Sequence, residues 1–447
     1  AFGVKKEVPG VLNGRLRVYG APDGWRVSGE AEADGLTLLN GTSLSAAAKF
    51  NSSADGTALN EVSLVGPGLH LTGEGKITPD GLVEIGLSGG DLDLAALRNA
   101  AGLPFEIEGS SHAVVTVTGP LESPKISAHA SCGPLSVGAV SLNSTAASFE
   151  WANDRIAVRD ARLQLPAGSI AVKELIYLPR QKWLSISGSV QGVDLPVVES
   201  LIRQTGLAER IPDFTAFEFG KPEIAAPASG ILSADFTAQG EVGGISGRMA
   251  VSVEGFSLPP APSVELAGEV SWSPSEIAFN RFTADGPGLT VSGTAFFPQG
   301  GRPLVAASIS NTDVGQMLRC VQAVSPLLPD HVHEKVDSSL QNLPRPISGA
   351  FDGAVLLSGS GSELDGTAVF DSNALKIRGE QLSKVSGDLA IADGKVLVRR
   401  LTAAGEQLRV SVTGSTGFGG ELDLDIEASN VNLAALGPLL GLSSSVS

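Results

Sequence analysis

Apolar and polar residues alternate in short runs along most of the chain, as in GELDLDIEAS, KWLSISGSV, AVVTVTG and VLVRRL. A period of two places the apolar side chains on one face of a β-strand and the polar side chains on the other. Gly, Asp-Gly and Pro turns separate the runs, and each quarter of the chain contains about six of them. The pattern therefore predicts an all-β fold of antiparallel strands, each with one apolar face and one face in water.

The apolar positions of these runs are candidates for a shared apolar lining. They are Val115, Val117, Leu184, Ile186, Val291, Val396, Val398, Leu422, Leu424 and Ile426. A sheet of many strands twists and curls, and its apolar face has to be covered. Two such faces can pack on each other, or one long sheet can curl into a groove with an apolar channel, and the pattern alone fits both arrangements.

Two sequence markers recur with a common period. The first is a polar residue before a short helix-like run, at intervals of 101, 119 and 119 residues, in Asp93, Asp194, Asp313 and Asn432. The second is a strand-like run that ends in glycine, at intervals of 99, 121 and 119 residues, in Gly20, Gly119, Gly240 and Gly359. The markers predict four β repeats, each closed by a helix that an Asp or Asn side chain caps, over residues 1–108, 109–228, 229–348 and 349–447.

Two further features modify these repeats. Copies one and three share a phrase, GPGLHLTG from Gly66 and GPGLTVSG from Gly286, which we interpret as the same turn. Copies two and three carry inserts after their caps, from Val197 and from Val314, whose apolar spacing predicts short amphipathic helices. These helices either cover an edge or the mouth of the sheet, or they act as a gate or a partner contact.

The composition narrows the chemistry of the surface and of its partners. Hydrophobic residues make up 42% of the 447 residues and aromatic residues only 5%, so the apolar surface consists of Leu, Val, Ile and Ala. The net charge of −17, without a run of Lys and Arg, argues against nucleic acid as a partner. No apolar stretch reaches the ~18 residues of a membrane span, and the first ten residues do not resemble a secretory signal. We therefore expect part of a longer protein whose membrane anchor lies elsewhere.

Candidate metal-binding and catalytic residues are few. The stretch HVHEK offers His331, His333 and Glu334 to a metal, but residues two apart diverge on a helix, so we prefer a solvated surface. Asp423 and Asp425 lie on the polar face of an alternating run, which favours solubilising charge over a glycosidase pair.

The remaining reactive groups do not change this picture. Cys132 and Cys320 lack CxxC spacing and can pair or stay free, and we prefer two small buried hydrophobic side chains. The Gly-rich turns lack the Lys-Ser/Thr of a P-loop, and no G-x-S-x-G elbow occurs. We predict a protein that is not an enzyme and that needs neither a cofactor nor a metal.

The ordered set of motifs resembles one known family. A strand ending in Gly, a G-x-x-x-x-P link, a second strand and a D-L-x-x-L close recur in this order, best in VTVTGPLESPKISAHA from Val115 to Ala130. This set is similar to the AsmA-like superfamily, which includes TamB-type proteins, and the similarity extends over all four copies. The resemblance implies a protein of the bacterial envelope, anchored in one membrane, whose elongated, curled β-sheet crosses the periplasm and encloses an apolar channel.

The resemblance also implies a function and partners. The expected activity is phospholipid transport between the inner and outer membranes, or assistance in outer-membrane assembly, with both membranes reached through regions outside this chain. From the residues alone, two other functions stay open. One is a structural β-repeat protein with a packed core and no ligand, and the other is a scaffold that binds outer-membrane protein precursors through an exposed sheet edge.

Overall fold

The computed structural model describes most of the chain. It covers residues 11–21, 24–37, 43–101, 106–204, 228–259, 261–324, 346–359, 364–377, 380–406, 408–417 and 422–430. Strands predominate in these residues and the helices are short. The prediction of an all-β, antiparallel fold with short helical segments is therefore confirmed. Asn432 and the HVHEK stretch lie outside the described residues.

The first of two compact units contains Ala1–Ile211 and Asp235–Ile245. Its strands are β1 (Val11–Ala21), β2 (Gly24–Thr37), β3 (Ser43–Ser53), β4 (Gly56–Gly66), β5 (Leu69–Ile77), β6 (Leu82–Asp93), β7 (Ile107–Glu108), β8 (Ser110–Pro120), β9 (Lys125–Cys132), β10 (Leu135–Val137), β11 (Val140–Leu142), β12 (Ser144–Ala152), β13 (Arg155–Gln164), β14 (Ser169–Leu178) and β15 (Trp183–Asp194). Its helices are α1 (Leu94–Ala101) and α2 (Leu195–Gln204).

Twelve of these strands form one antiparallel ladder in chain order. Each strand pairs with the next in the series β1 to β6, β8, β9 and β12 to β15. The short strands β7, β10 and β11 form a separate three-stranded sheet. A ladder of sequential neighbours needs only short connections, which the Gly and Asp-Gly turns of the sequence supply.

The second unit contains Pro212–Ala234 and Ser246–Ser447. The strands β16 (Ser229–Glu241) and β17 (Gly244–Ser257) contribute residues to both units. The elements that follow are β18 (Val264–Ser273), β19 (Glu276–Gly286), β20 (Leu289–Pro298), β21 (Leu304–Asp313), α3 (Val314–Val324), β22 (Ile347–Ser348), β23 (Ala350–Ser358), β24 (Asp365–Ser372), β25 (Leu375–Ile377), β26 (Glu380–Ala392), β27 (Lys395–Gly405), β28 (Leu408–Gly417) and β29 (Leu422–Ser429). Eleven of these strands, β17 to β21, β23, β24 and β26 to β29, pair antiparallel in this order.

The element order repeats along the chain. Among the described residues, six long strands precede α1, six lie between α1 and α2, six lie between α2 and α3, and six follow α3 and end with β29. A residue with positive φ stands two positions before each predicted cap, with values of 55°, 63°, 44° and 53° at Asp91, Gly192, Asn311 and Asn430. The same backbone geometry therefore recurs at the same place in the period. The division into four domains stays a prediction, whereas the contacts divide the chain into two compact units.

The phrase that copies one and three share forms a turn against the start of a helix. Gly68 and Gly288 have φ values of 69° and 67°, a left-handed conformation that glycine adopts without strain. Their carbonyl oxygens accept hydrogen bonds from the backbone amides of Asp93 and Asp313, at 3.0 and 2.8 Å. The phrase recurs, we infer, because each turn holds the residue that begins a helix.

The same aspartates cap these helices. Oδ1 of Asp93 accepts a hydrogen bond from the amide of Ala95 at 2.9 Å, and Oδ1 of Asp313 accepts one from the amide of Gln316 at 3.0 Å. Both bonds satisfy amides that have no partner within the helix. Asp194 directly precedes α2.

Full burial in the first unit is concentrated where strands meet the helices. One core cluster consists of Leu135, Val140, Leu142, Leu165 and Val193 and packs against α2. A second cluster consists of Leu71, Leu87, Leu92 and Ala113 and packs against Leu97 of α1. The helices and the three-stranded sheet thus bury apolar side chains at one end of the strands.

We expect Gly68→Ala to lower the free energy of unfolding more than Gly81→Ala. Both glycines have positive φ, so both alanines incur about 1–2 kcal/mol of backbone strain. A Cβ at Gly68 would also lie 2.7 Å from Cβ of Ala96, whereas a Cβ at Gly81 would meet no atom within 4 Å. This forced contact adds about 1–3 kcal/mol. Urea unfolding followed by circular dichroism measures the difference. Equal losses of unfolding free energy in the two variants would contradict a close contact between the Gly68 turn and α1.

Candidate functional site

An apolar face runs across the sheet of the first unit. Residues that pair across neighbouring antiparallel strands project to the same side, so a row can be followed from strand to strand. The row from β1 to β15 contains Leu16, Gly29, Phe50, Leu59, Gly75, Ile85, Val117, Ile126, Trp151, Ile156, Tyr177 and Leu184. The next row, from β4 to β15, contains Val62, Gly73, Leu87, Val115, Ala128, Phe149, Val158, Leu175 and Ile186. The four candidate residues of this unit therefore share one face.

The second unit has an equivalent face made of three rows. The first contains Met249, Val270, Phe279, Ala295, Val305, Leu357, Gly366, Ile391, Val396, Thr416 and Leu422. The second contains Val251, Gly268, Phe282, Gly293, Ala307, Val355, Ala368, Leu389, Val398, Gly414 and Leu424. The third contains Val253, Leu266, Ala284, Val291, Ile309, Gly353, Phe370, Gly387, Leu401, Val412 and Ile426. All six candidate residues of this unit fall in these rows, and one polar side chain, Thr416, interrupts them.

The candidate side chains are not buried as core residues are. Eight of them are half-buried, and Leu422 and Ile426 are 71% and 62% exposed. Core residues such as Leu165 and Val193 are 1% and 0% exposed. A closely packed layer over these rows would hide the side chains, because protein interiors leave few gaps. Each unit therefore presents a broad apolar face that its own described residues cover only in part.

Aromatic rings on these faces lie over cross-strand glycines. Cζ of Phe282 lies 2.7 Å from the position that a Cβ of Gly293 would occupy, and Phe370 fills the same space at Gly387. Glycine opposite an aromatic residue lets the ring lie along the sheet instead of standing upright on it. The sequence alone does not reveal these ring–glycine pairs, because they become visible only when the strand register is known. At these two positions the ring therefore adds little height to the apolar face.

The opposite face of the first sheet is polar, and an ion cluster lies on it. Glu150 Oε2 accepts a hydrogen bond from Lys125 Nζ at 2.9 Å, and the guanidinium groups of Arg155 and Arg159 approach Glu150 within 3.7 and 3.5 Å. Both arginines also reach Glu174. The hydrogen bond from Lys125 is the main cause that lowers the pKa of Glu150, and the nearby positive charges of Lys125, Arg159 and Arg155 lower it further.

We expect Glu150→Gln to lower the melting temperature near neutral pH more than Glu84→Gln. Glu150 contacts three cations, whereas Glu84 pairs with Lys76 alone and both of these side chains are largely exposed. An exposed pair contributes about 0.2–1 kcal/mol. Because the pKa of Glu150 is lowered in the folded state, its contribution is present above the unfolded pKa and is lost as the pH falls through the folded value. Thermal unfolding from neutral to acidic pH checks this, and a difference from wild type that does not shrink in acid would contradict it.

Other candidate chemistry is sparse in the residues that the structure describes. Cys132 and Cys320 are free thiols, and burial raises the pKa of Cys320, which makes its thiol less reactive. Among the described residues, no group of three His, Cys, Asp or Glu side chains could hold a metal ion. A cavity of ≈ 490 Å³ lies beside α3, and its lining consists of Gly315, Leu318, Arg319, Gln322, Pro346 and Ile347. This lining contains no pair of groups suited to nucleophilic or acid–base catalysis.

Neither the helices of this chain nor comparison with known proteins points to a different site. None of the described helices has both the length and the hydropathy that a membrane span needs. No family model, no curated protein and no solved structure matches this chain. The apolar face of each unit is therefore the feature on which a functional proposal has to rest.

Proposed function

We propose that this chain shields lipid acyl chains on its apolar faces, as a segment of a bacterial envelope protein that carries phospholipids between the inner and outer membranes. The supporting observation is that each unit presents rows of apolar side chains and glycines across eleven or twelve strands, with no candidate side chain buried. Such a face offers hydrophobic contact along its whole width and few directional bonds. Acyl chains require this kind of surface.

The energetics favour a continuous lining over isolated pockets. Each methylene that leaves water gains ~0.8 kcal/mol, so a chain of about 16 carbons would lose more than ~10 kcal/mol if it were exposed on its way. Neighbouring rows without charged side chains keep this cost low at every step along the sheet. The polar head group can stay in water, because it needs no partner in the lining.

The same proposal covers the cargo, the location and the chemistry of the chain. The cargo is phospholipid, the location is the periplasm, and both membranes are reached through regions outside this chain. The chain carries out no covalent chemistry and needs no cofactor, metal or nucleic acid. A structural β-repeat protein is the alternative, but the partial exposure of the candidate side chains favours a bound apolar ligand over a packed core.

Photo-crosslinking residues placed on the apolar faces and on the opposite, polar face test the proposal directly. We expect crosslinkers at Val117, Leu184 and Leu424 to capture phospholipid in cells, because these positions lie in the apolar rows. A crosslinker at Thr116 is the matched control, since its side chain is exposed on the opposite face of the same strand. Mass spectrometry of the adducts identifies the lipid, and equal or greater capture at Thr116 would contradict the proposal.

A charge on the apolar face should reduce lipid binding. We expect Ile186→Glu to lower the amount of copurifying phospholipid several-fold, because an acyl chain cannot solvate a carboxylate. Thr116→Glu places the same charge on the exposed polar face of β8, across from the uncharged Gly86 and Ser127, and should leave binding unchanged. Organic extraction and mass spectrometry of the folded variants give the comparison. Absence of phospholipid from the wild-type protein would instead favour the structural alternative.

A further inference from the structure

The outer face of the second unit, opposite its apolar rows, carries exposed apolar side chains. Five of them lie on long strands from β20 to β27 and are between 37% and 49% exposed: Phe296, Leu304, Leu356, Val369 and Leu397. Phe296 pairs with Leu304 across β20 and β21. Leu356 and Leu397 lie in one cross-strand row, with Thr367 and Ala390 between them. These five side chains, which we call the outer patch, therefore belong to one surface.

The first unit holds polar residues at most of the equivalent positions. The shared phrase begins at Gly66 and again 220 residues later at Gly286. The glycine marker after it moves by 240 residues, from Gly119 to Gly359, and the strand pairing keeps this offset through β9, β12 and β13. The outer patch thus corresponds, in the order given above, to Lys76, Glu84, Thr116, His129 and Ala157.

In the outer patch, apolar side chains stand where the first unit has ions. Nζ of Lys76 lies 2.8 Å from Oε2 of Glu84, and both side chains are largely exposed. The corresponding pair of the outer patch is apolar and also joins two strands. The position of Glu150, which contacts three cations, is held by Ala390. The ladder accepts ions at these positions, so the fold itself does not require apolar residues there.

The region that contains the outer patch is large enough for a protein contact. Six strands about 4.8 Å apart and three rows about 7 Å apart cover roughly 500–600 Å². An exposed apolar patch of several hundred Å² is typical of an interaction site. A stable interface buries about 800 Å² on each partner, with an apolar centre and a polar rim. The outer patch supplies the centre of such an interface, and the residues around it supply the rim.

Charge favours a second copy of this chain as the occupant. The net charge of −17 repels an anionic membrane, and it repels another copy unless the contact is locally balanced. At the rim, Arg302 lies 2.7 Å from Asp365, and Arg399 approaches Asp388 at 3.8 Å. Each of these carboxylates therefore has an arginine beside it. A face with an apolar centre and both signs of charge at its rim is complementary to itself, as a two-fold contact requires.

We propose that the outer patch binds the outer patch of a second copy of this chain around a two-fold axis. The two sheets then pack face to face, and the apolar side chains of both copies leave water. The apolar rows lie on the opposite face of the sheet and stay accessible to a ligand. The contact is measured on lipid-free protein, so it stands or falls separately from the lipid proposal.

Grafting the ion pair of the first unit onto the outer patch tests this contact. Phe296→Lys with Leu304→Glu introduces the pair that β5 and β6 already accommodate, so the variant should fold. Sedimentation velocity of the lipid-free wild type should show a concentration-dependent equilibrium between monomer and dimer. We expect the graft to raise the dissociation constant about ten-fold or more, because charged groups would lose water when the faces meet. Leu356→Glu should raise it as well.

A matched control separates the outer patch from a general effect of charge. Thr116→Glu makes the change of Leu356→Glu at the equivalent position of the first unit and should leave the dissociation constant unchanged. A wild-type chain that is monomeric at every concentration, or a graft that associates as tightly as the wild type, would overturn the proposal.

Hydroxyl-radical footprinting of the wild type needs no variant. Oxidation of Phe296 should fall as the protein concentration rises, because the dimer covers its ring. Oxidation that is independent of concentration would also overturn the proposal, and a low value at every concentration would indicate that another segment of the same chain covers the outer patch.

Discussion

The register of the antiparallel ladder is the constraint on which the rest of the structure depends. Side chains alternate with a period of two, so a slip of one residue would move a whole apolar row to the polar side. The β-bulges in the ladder leave the apolar rows on the same face of the sheet. In β4, Leu59 pairs with Gly75 and Val62 pairs with Gly73, so three steps on one strand match two on its neighbour. The extra residue is absorbed next to Glu61, whose φ is 52°, and both apolar side chains stay on the same face.

In a ladder of this kind, the strands are held together without a fully buried core along their whole length. Backbone hydrogen bonds between sequential strands hold the sheet, whereas full burial in the first unit is concentrated around α1, α2 and the three-stranded sheet. Eight of the ten candidate side chains in the rows remain half-buried, and aromatic rings such as those of Phe282 and Phe370 lie over glycines. The acyl chain that we propose as ligand would therefore lie on the sheet without displacing a packed layer, a step that would be costly in an ordinary domain core.

The sequence predicts local features well and long-range features poorly. Alternation predicts the strands, and it predicts that Val117 in the first unit and Leu424 in the second each lie on the apolar face of their own unit. An Asp before an apolar helical run predicts the caps at Asp93 and Asp313. The pairing of Phe370 with Gly387 depends on the register between β24 and β26, and neither composition nor alternation reveals that register. The small sheet of β7, β10 and β11 is not predicted either, because its strands are too short to show a period of two.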